Sequence, residues 1–501
     1  MKLWKSNKLK DLLKNKAMSS DVISRYKKAK QIIESGKDAF VSKYDCKNTV
    51  REVIELHSHL KPGESKQESI SMCGRIIAIR KHGKLTFADI RDQTGDIQLY
   101  LDKKRIGDIY DFFNLLDIGD WISTEGYPTR TARGELSIMV DKLALLTKSL
   151  RPLPEKWHGL KDKEVRYRYR YLDLISNPKV KETFTKRSKI INLIRQFLIS
   201  EGFMEFETPM LQSIPGGATA KPFRTHHDTL DMDLFLRIAP ELYLKRLIIG
   251  GYEKIFELNR NFRNEGISYR HNPEFTMLEV YQAFVDYREM MNLTQKIILY
   301  IIDNLVKGRK IYYQENEIDI NPPWREMTVL DSIEKFTGVK LSFEMTRNKM
   351  SKIADEIGVD FDEKLGVGGI INRIFEKKVE NKIIQPTFIT DYPKEVSPLA
   401  REHSKNPNLT ERFELFIGGI EIANAFSELT DPLDQRIRFE QQLYTEEIET
   451  ELDEDFIRAL EYGMPPTGGL GIGVDRLVMI MTDSASIRDV ILFPHMRSKK
   501  E

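Results

Sequence analysis

FELNRNFRNEGISYRHNPEFTMLEVYQAF, residues 256–284, decides how the rest of the chain is read. It pairs Arg263 with Glu265, crosses a polar loop to His271 and Asn272, and continues as a strand. A strand repeats every second residue, so Phe275, Met277, Glu279 and Tyr281 share one face. A carboxylate flanked by aromatics is costly on a core face unless something cationic meets it. On this strand alone, a structural salt bridge and a ligand-binding face explain Glu279 equally well.

The segments downstream carry the same kind of tension. In ERFELFIGGIEIANAFSELTDP, residues 411–432, Gly418-Gly419 reads as a tight turn between two strands. Asn424 and Glu428 share parity and therefore a face, whereas Glu421 has the opposite parity. For Glu421 to join them, a bulge or twist is needed, and the sequence alone shows none. GGLGIGVDRLVMIM, residues 468–481, is glycine-rich, but its glycines lack the G-x-G-x-x-G spacing and no βαβ unit surrounds it. It reads as a strand running into a helix, and an Asp-Arg pair such as Asp475-Arg476 is by itself an ordinary surface ion pair.

Upstream, Asn177-Pro178 is a helix start. Phe184, Ile191, Ile194 and Leu198 lie on one face as far as Gly202, and FMEFETP then forms a short strand ending at Pro209. Helices and strands mix without regular alternation over residues 166–501, which predicts an antiparallel α+β domain instead of a doubly wound parallel sheet. Residues 149–165, with Pro152 and Pro154 among charges, read as a linker, and IIQPTFITDYPKEVSPLA at 383–400 as a scaffolding strand and loop. Residues 66–148 hold five short strands with a helical stretch near 106–116, the pattern of an oligonucleotide-binding (OB) β-barrel. Residues 1–65 are lysine-rich and helical in pattern, with Val22, Ile23, Tyr26, Ile32 and Ile33 forming an amphipathic helix that ends at Gly36. They read as a solvated extension or as a basic arm touching RNA backbone.

Composition narrows the function classes. With 78 basic and 76 acidic residues among 501, any nucleic-acid partner must bind a local patch, not a globally cationic protein. Cys46 and Cys73 lack metal-ligand spacing and predict a reducing compartment without a disulfide framework. No apolar run is long enough to span a bilayer. The stretch MKLWKSNKLKDLLKNK lacks the apolar core of a signal peptide and the arginines of a transit peptide. The expectation is a cytoplasmic protein.

Taken in order, these segments resemble the three motifs of class II lysyl-tRNA synthetases, and the resemblance extends over about residues 55–497. It implies a homodimer built through the helix and strand ending at Pro209. It implies that Arg263 and Arg476 are the catalytic arginines. ATP would be bound by Arg263, Glu265, His271, Asn272, Phe275, Glu421, Ile422, Gly473 and Arg476. Phe275 would stack on the adenine, Glu265 would read its amino group, and His271 with Asn272 would contact the triphosphate. Glu414 and Glu421 would bind Mg2+ bridging the phosphates. Lysine would be held by Gly217, Glu241, Glu279, Tyr281, Asn424 and Glu428. In the barrel, Phe87 would stack on an anticodon base of tRNA(Lys), with Arg80, Gln98 and Glu135 reading base edges.

The implied amino acid has a physical rationale. A long cationic side chain needs a desolvated pocket closed by an anion, with hydroxyl or amide groups completing its hydrogen bonds. Glu428 and Tyr281 supply that combination by resemblance. An aspartate- or asparagine-specific relative shares the architecture, but a buried carboxylate facing an acidic substrate costs several kcal/mol. A non-catalytic scaffold derived from such an enzyme is disfavoured by the intact Arg263, Glu414, Glu421 and Arg476 set. No general base is expected, because the carboxylate of lysine is already a nucleophile.

Overall fold

The computed structural model describes Trp4 and residues 18–154, 160, 162–446 and 452–497. The lysine-rich run before residue 18, apart from Trp4, and part of the expected linker lie outside the described residues. The chain divides into two compact units, residues 1–159 and 160–501. Among the described residues, no helix is long and apolar enough to cross a membrane.

The first unit is a closed barrel of five strands: β1 (Ile70–His82), β2 (Leu85–Arg91), β3 (Asp96–Asp102), β4 (Trp121–Arg130) and β5 (Leu136–Thr147). Their order around the barrel is β1-β2-β3-β5-β4, with β3 and β5 parallel. Two short helical turns, Lys103–Ile106 and Asp108–Phe113, connect β3 to β4. Alternation does the sorting: Thr86, Ala88 and Ile90 of β2 point inward, while Phe87 and Asp89 stay on the outer face.

Among the described residues, two helices precede the barrel, α1 (Ser20–Glu34) and α2 (Val50–His57), the second opened by a Thr49–Glu52 capping box. Neither is the solvated extension the sequence suggested. Ile32, Ile33, Val50 and Val53 are buried in the barrel's own core. Arg25 donates to the carbonyl oxygens of Ile118 (2.9 Å) and Ser149 (3.2 Å), and Lys28 pairs with Asp117 at 2.6 Å. The amphipathic helix expected around Val22, Ile32 and Ile33 is present, and its apolar stripe is buried instead of solvated.

The second unit is built on an eight-stranded sheet. Its members, in chain order, are β6 (Met204–Glu205), β7 (Lys254–Phe262), β8 (Glu274–Ala283), β9 (Arg325–Thr328), β10 (Thr387–Thr390), β11 (Arg412–Ile417), β12 (Ile420–Ser427) and β13 (Thr467–Gly473). Across the sheet they run β9-β10-β11-β12-β13-β8-β7-β6, antiparallel except for the pair at each edge. The fold is therefore α+β, with a largely antiparallel sheet in the second unit, as the sequence predicted.

One face of this sheet is apolar: Leu278 and Val280, Leu470 and Ile472, Ala423 and Ala425, Phe413 and Leu415. It packs against α3 (Pro178–Ser200), α5 (Tyr287–Leu305) and α6 (Val474–Met481). Proline opens α3 at its first turn. Its buried stripe centres on Ile190, Ile194 and Phe197, which leaves Ile191 at the edge. Because strand parity assigns alternate residues to opposite faces, fixing this core fixes what the other face must display.

Candidate active site

The opposite parity of the central strands gathers most of the residues singled out in the sequence. On β8, Met277, Glu279 and Tyr281 pair across β13 with Gly473, Gly471 and Gly469. On the far side of β13, Gly471 and Gly469 pair with Asn424 and Phe426 of β12. Glu414 and Arg412 of β11 then pair with Asn424 and Phe426. The middle strand therefore contributes no side chain exactly where its neighbours contribute polar ones. A Cβ on Gly469 would lie 1.9 Å from Glu428 Oε1 and 2.9 Å from the Tyr281 ring, and one on Gly471 would lie 2.6 Å from Met277 Cε. The glycines of β13 are the floor of a cleft.

Glu421 reaches this face through an irregularity. The β11–β12 register jumps at Leu415/Phe416, so that Leu415 pairs with Ala423 but Phe416 with Glu421. The extra residue, Ile422, is buried in the core, and only its backbone is available to a ligand. The bulge brings Glu421 to the parity of Asn424 and Glu428.

Three buried carboxylates line one end of the cleft. Glu241 opens α4 (Glu241–Ile249), and Gly217, at φ +86°, sits so close that a Cβ would be 2.9 Å from Glu241 Cβ. Glu279 is pushed up to about 8, mainly by burial and then by Glu241. Glu428 is fully buried at the end of β12. Tyr281 donates to Glu279 Oε2 at 3.0 Å, so its hydroxyl serves Glu279 and not Glu428. The residue on Glu428 is one that sequence reasoning missed. Lys245, one turn beyond Glu241, is fully buried, lies 2.7 Å from Glu241 Oε1 and contacts Glu428 Oε2. Only the i,i+4 spacing of Glu241 and Lys245 within PELYLK hinted at it.

At the other end, Arg263 follows β7 and stands over the Phe275 ring, 5.1 Å from its centroid. Its backbone N–H donates to the Pro273 carbonyl at 2.8 Å, closing the loop between them. Within that loop His271 Nδ1 lies 2.9 Å from Ser268 Oγ, and its Nε2 lies 3.3 Å from Arg476. Burial and the Arg476 guanidinium hold the imidazole below its usual range. Arg476 also donates to the Glu421 carboxylate (2.9 Å) and carbonyl (3.1 Å). Asp475 pairs with Arg187 instead of with its neighbour, and accepts from Thr276 N at 2.7 Å. Asn272 Oδ1 and Arg263 Nε are buried without a partner among the described residues, the signature of groups awaiting a polar ligand. Glu265 is exposed on the loop.

Glu414 accepts from Tyr392 (2.8 Å) and Arg412 (2.6 Å). Burial first, then Glu421, pushes it up to about 7. Glu380, another residue the sequence did not signal, is pushed up to about 8 by burial and by Glu414 and Glu421. Repulsion between carboxylates is relieved by a cation, and two carboxylates completed by phosphate oxygens suit Mg2+. Among the described residues, no group of three or more potential ligands is arranged to hold a metal unaided, so the donor set fits a cation arriving with its phosphates.

On the barrel, Arg80 pairs across strands with Phe87, and Phe87 with Tyr100, whose rings stack at 5.1 Å and 15°. Asp89 pairs with Gln98, which accepts from Ser137 Oγ at 2.9 Å. Arg80 is doubly bonded to Asp89 at 2.7 and 2.8 Å and keeps donors to spare. Glu135, exposed at the start of β5, is close enough to act on the Arg80 charge. The outer face thus combines an aromatic platform with polar edge-readers. Tyr100 extends that platform and was not anticipated.

A model of the class II tRNA synthetases (D, K and N) matches residues 162–497, and one of OB-fold nucleic acid binding domains matches residues 70–146. A lysine–tRNA ligase of Carboxydothermus hydrogenoformans is 51% identical over 480 residues, covering 95% of this chain and 97% of the relative. Those of Pelotomaculum thermopropionicum and Moorella thermoacetica are 49% and 50% identical, covering 99% and 95% of this chain and 99% and 98% of their own lengths. The glycine-floored cleft, its paired arginines and the matched barrel lead to one conclusion: this chain belongs to the class II tRNA synthetase family specific for aspartate, lysine and asparagine.

Proposed function

We propose that the chain is a lysine–tRNA ligase, activating lysine with ATP to lysyl-adenylate and transferring it to the 3′ end of tRNA(Lys). The observation that carries this reading is the buried acidic end of the cleft, where Glu241, Glu279 and Glu428 converge above a glycine floor. Anions in a desolvated pocket favour a substrate with two ammonium groups and repel aspartate. Relatives about half identical over nearly the whole chain bear the name lysine–tRNA ligase.

The reaction requires placement more than proton transfer. Glu241 and Glu279, with Asn424 and the Gly217 backbone, hold the α-ammonium end, and Glu428 closes the pocket on the ε-ammonium. Arg263 holds the α-phosphate where negative charge grows, Arg476 and His271 with Asn272 the outer phosphates, and Phe275 the adenine, whose amino group meets Glu265. Ile422 and Gly473 contribute backbone. Glu414 and Glu421 would hold Mg2+, which when bound neutralises phosphate charge. The lysine carboxylate attacks the α-phosphorus and pyrophosphate leaves. The terminal ribose 3′-hydroxyl of the tRNA then attacks the acyl carbon, releasing AMP. Fixed donors aimed at developing charge supply the rate. Arg80, Phe87, Gln98 and Glu135 read the anticodon by stacking and edge hydrogen bonds.

Exposed Ile199, Met204 and Leu211, at the end of α3 and the strands beside Pro209, support a homodimer through that face. The cytoplasm is the expected compartment. ATP–pyrophosphate exchange with lysine, aspartate and asparagine tests the reading. Lysine alone should support exchange, and Glu428→Gln should abolish most of it. Exchange with aspartate but not lysine refutes the proposal.

A further inference from the structure

The proposed lysine pocket already contains a lysine of the protein's own. Lys245 lies on the face of α4 that carries Glu241, and its side chain is fully buried, as is that of Glu428. Its Nζ is 2.7 Å from Glu241 Oε1, contacts Glu428 Oε2, and lies 5.6 Å from the centroid of the Phe426 ring. Lys245 engages Glu428 Oε2, whereas Glu428 Oε1 is buried with no protein donor among the described residues. The groups facing this cluster are few. α4 supplies Glu241 and Lys245, β8 supplies Glu279 and Tyr281, β12 supplies Phe426, and Glu428 follows directly after β12. Arg263 acts on Glu279 from the nucleotide side, and β13 supplies only glycine.

We infer that Lys245 is a specificity-determining positioning residue, a resident cation that sets the charge of the amino-acid pocket to match a diamino acid. The inference rests on the lysine reading above. In the lysine-binding form, with Glu241, Glu279 and Glu428 all ionised, the one ammonium of Lys245 leaves the pocket two negative charges. A bound lysine brings two ammonium groups and so neutralises the pocket, with its carboxylate directed toward Arg263. An amino acid with an uncharged side chain leaves one buried charge unmatched, which low-dielectric surroundings penalise heavily. Lys245 also ties Glu241, at the α-ammonium end, to Glu428, at the ε-ammonium end, and so sets the distance between the two anchors. It touches neither reacting atom. Burial works against the Lys245 ammonium, but Glu241 and Glu428 outweigh it and hold it above its ordinary range.

Without this cation, three carboxylates would crowd one dry pocket, and protons would take its place. Their pKa values would rise, so the lysine-binding form would be reached only at higher pH. Lys245→Met removes the charge at similar volume. Lys245→Gln removes the charge but keeps a donor, and Lys245→Arg keeps the charge. ATP–pyrophosphate exchange on the full chain, measured from about pH 6 to 9, reads KM for lysine and kcat separately. The Met and Gln variants should raise KM on the order of 10- to 100-fold at neutral pH, with kcat changed only a few-fold. Their KM should then fall as pH rises through a range where wild-type KM is flatter, and Arg should lie between them and wild type. Wild-type KM and pH profile in the Met and Gln variants overturns the inference. So does an Arg variant as impaired as Met with the same pH profile, which would leave only packing. If the Met variant does not fold, Gln against Arg carries the test. Wild-type exchange without lysine dependence would instead refute the lysine reading itself, so the two failures are distinguishable.

Discussion

Gly469→Ala tests the claim that β13 works by omission. Gly469 has no positive φ, so alanine is acceptable to the backbone and any effect is steric. The new Cβ would lie 1.9 Å from Glu428 Oε1 and 2.9 Å from Tyr281 Cε1. An ordinary carbon–oxygen contact is roughly 3.3 Å or more, so the carboxylate must retreat by more than an ångström. Misplacement of about 1 Å near a reacting constellation costs on the order of 10²-fold in rate, and overpacking costs about 1–3 kcal/mol of stability. Lysine-dependent exchange should therefore fall about 10²-fold in kcat/KM, with thermal unfolding a few degrees lower. Gly468→Ala is the control on the opposite face, because its Cβ would lie 2.7 Å from Met290 Cγ in the core. It should lose comparable stability while keeping KM for lysine. Normal lysine kinetics in Gly469→Ala, or equal kinetic damage in both variants, would refute the assignment of the two faces.

Glu279 ionises at about 8 in the folded protein against 4.5 for a free glutamate, mainly because it is buried. The native state thus binds the extra proton, and stability contributed below 4.5 is lost as pH rises through about 8. Glu279→Gln should raise the unfolding temperature of the ligand-free protein more at pH 9 than at pH 5, while abolishing lysine activation; a pH-independent difference contradicts the burial argument. Arg263→Lys keeps the charge but loses the planar fork, and should lower kcat about 10²- to 10³-fold, measured by exchange under saturating lysine. Phe87→Ala should raise KM for tRNA by roughly 5- to 100-fold, since one stacked base is worth about 1–3 kcal/mol, and leave exchange without tRNA unchanged.

What was legible in the sequence was local. The Arg263–Tyr281 stretch, the glycine strand and the turn at Gly418-Gly419 carry their chemistry in a fixed spacing, so each could be recognised without knowing what lay beside it. What escaped depended on pairing between distant segments. Lys245 reads as one more charged residue on a helix, until Glu428 is brought against it by a strand almost two hundred residues away. Tyr281 shares a face with Glu279, but the hydrogen bond that its hydroxyl makes to Glu279 was not legible, because parity fixes the face but not the partner. The bulge at Ile422 left no composition signal, since an isoleucine is equally at home in a regular strand. The helix with Val22, Ile32 and Ile33 was legible by its apolar stripe, but that the stripe packs into the barrel core was not, because its partners are strands distant in sequence.

The same alternation that builds the core also builds the cleft, and this couples specificity to stability. In the middle of β8, β13 and β12 alternate residues, Leu278 and Val280, Leu470 and Ile472, Ala423 and Ala425, are apolar and sealed against α3, α5 and α6. The intervening positions are free to be carboxylate, hydroxyl or nothing at all. A one-residue slip in any of these strands would put Glu279 or Glu428 into the core and Leu278 or Leu429 into the pocket, at the price of an unpaired buried charge. The bulge on β12 uses this rigidity, because a single inserted residue redirects Glu421 without disturbing Asn424 and Glu428. Selection for the core therefore holds the carboxylates in register, and residues that offer the substrate no side chain, Ile422 and Gly469 among them, fix where its charges must fall.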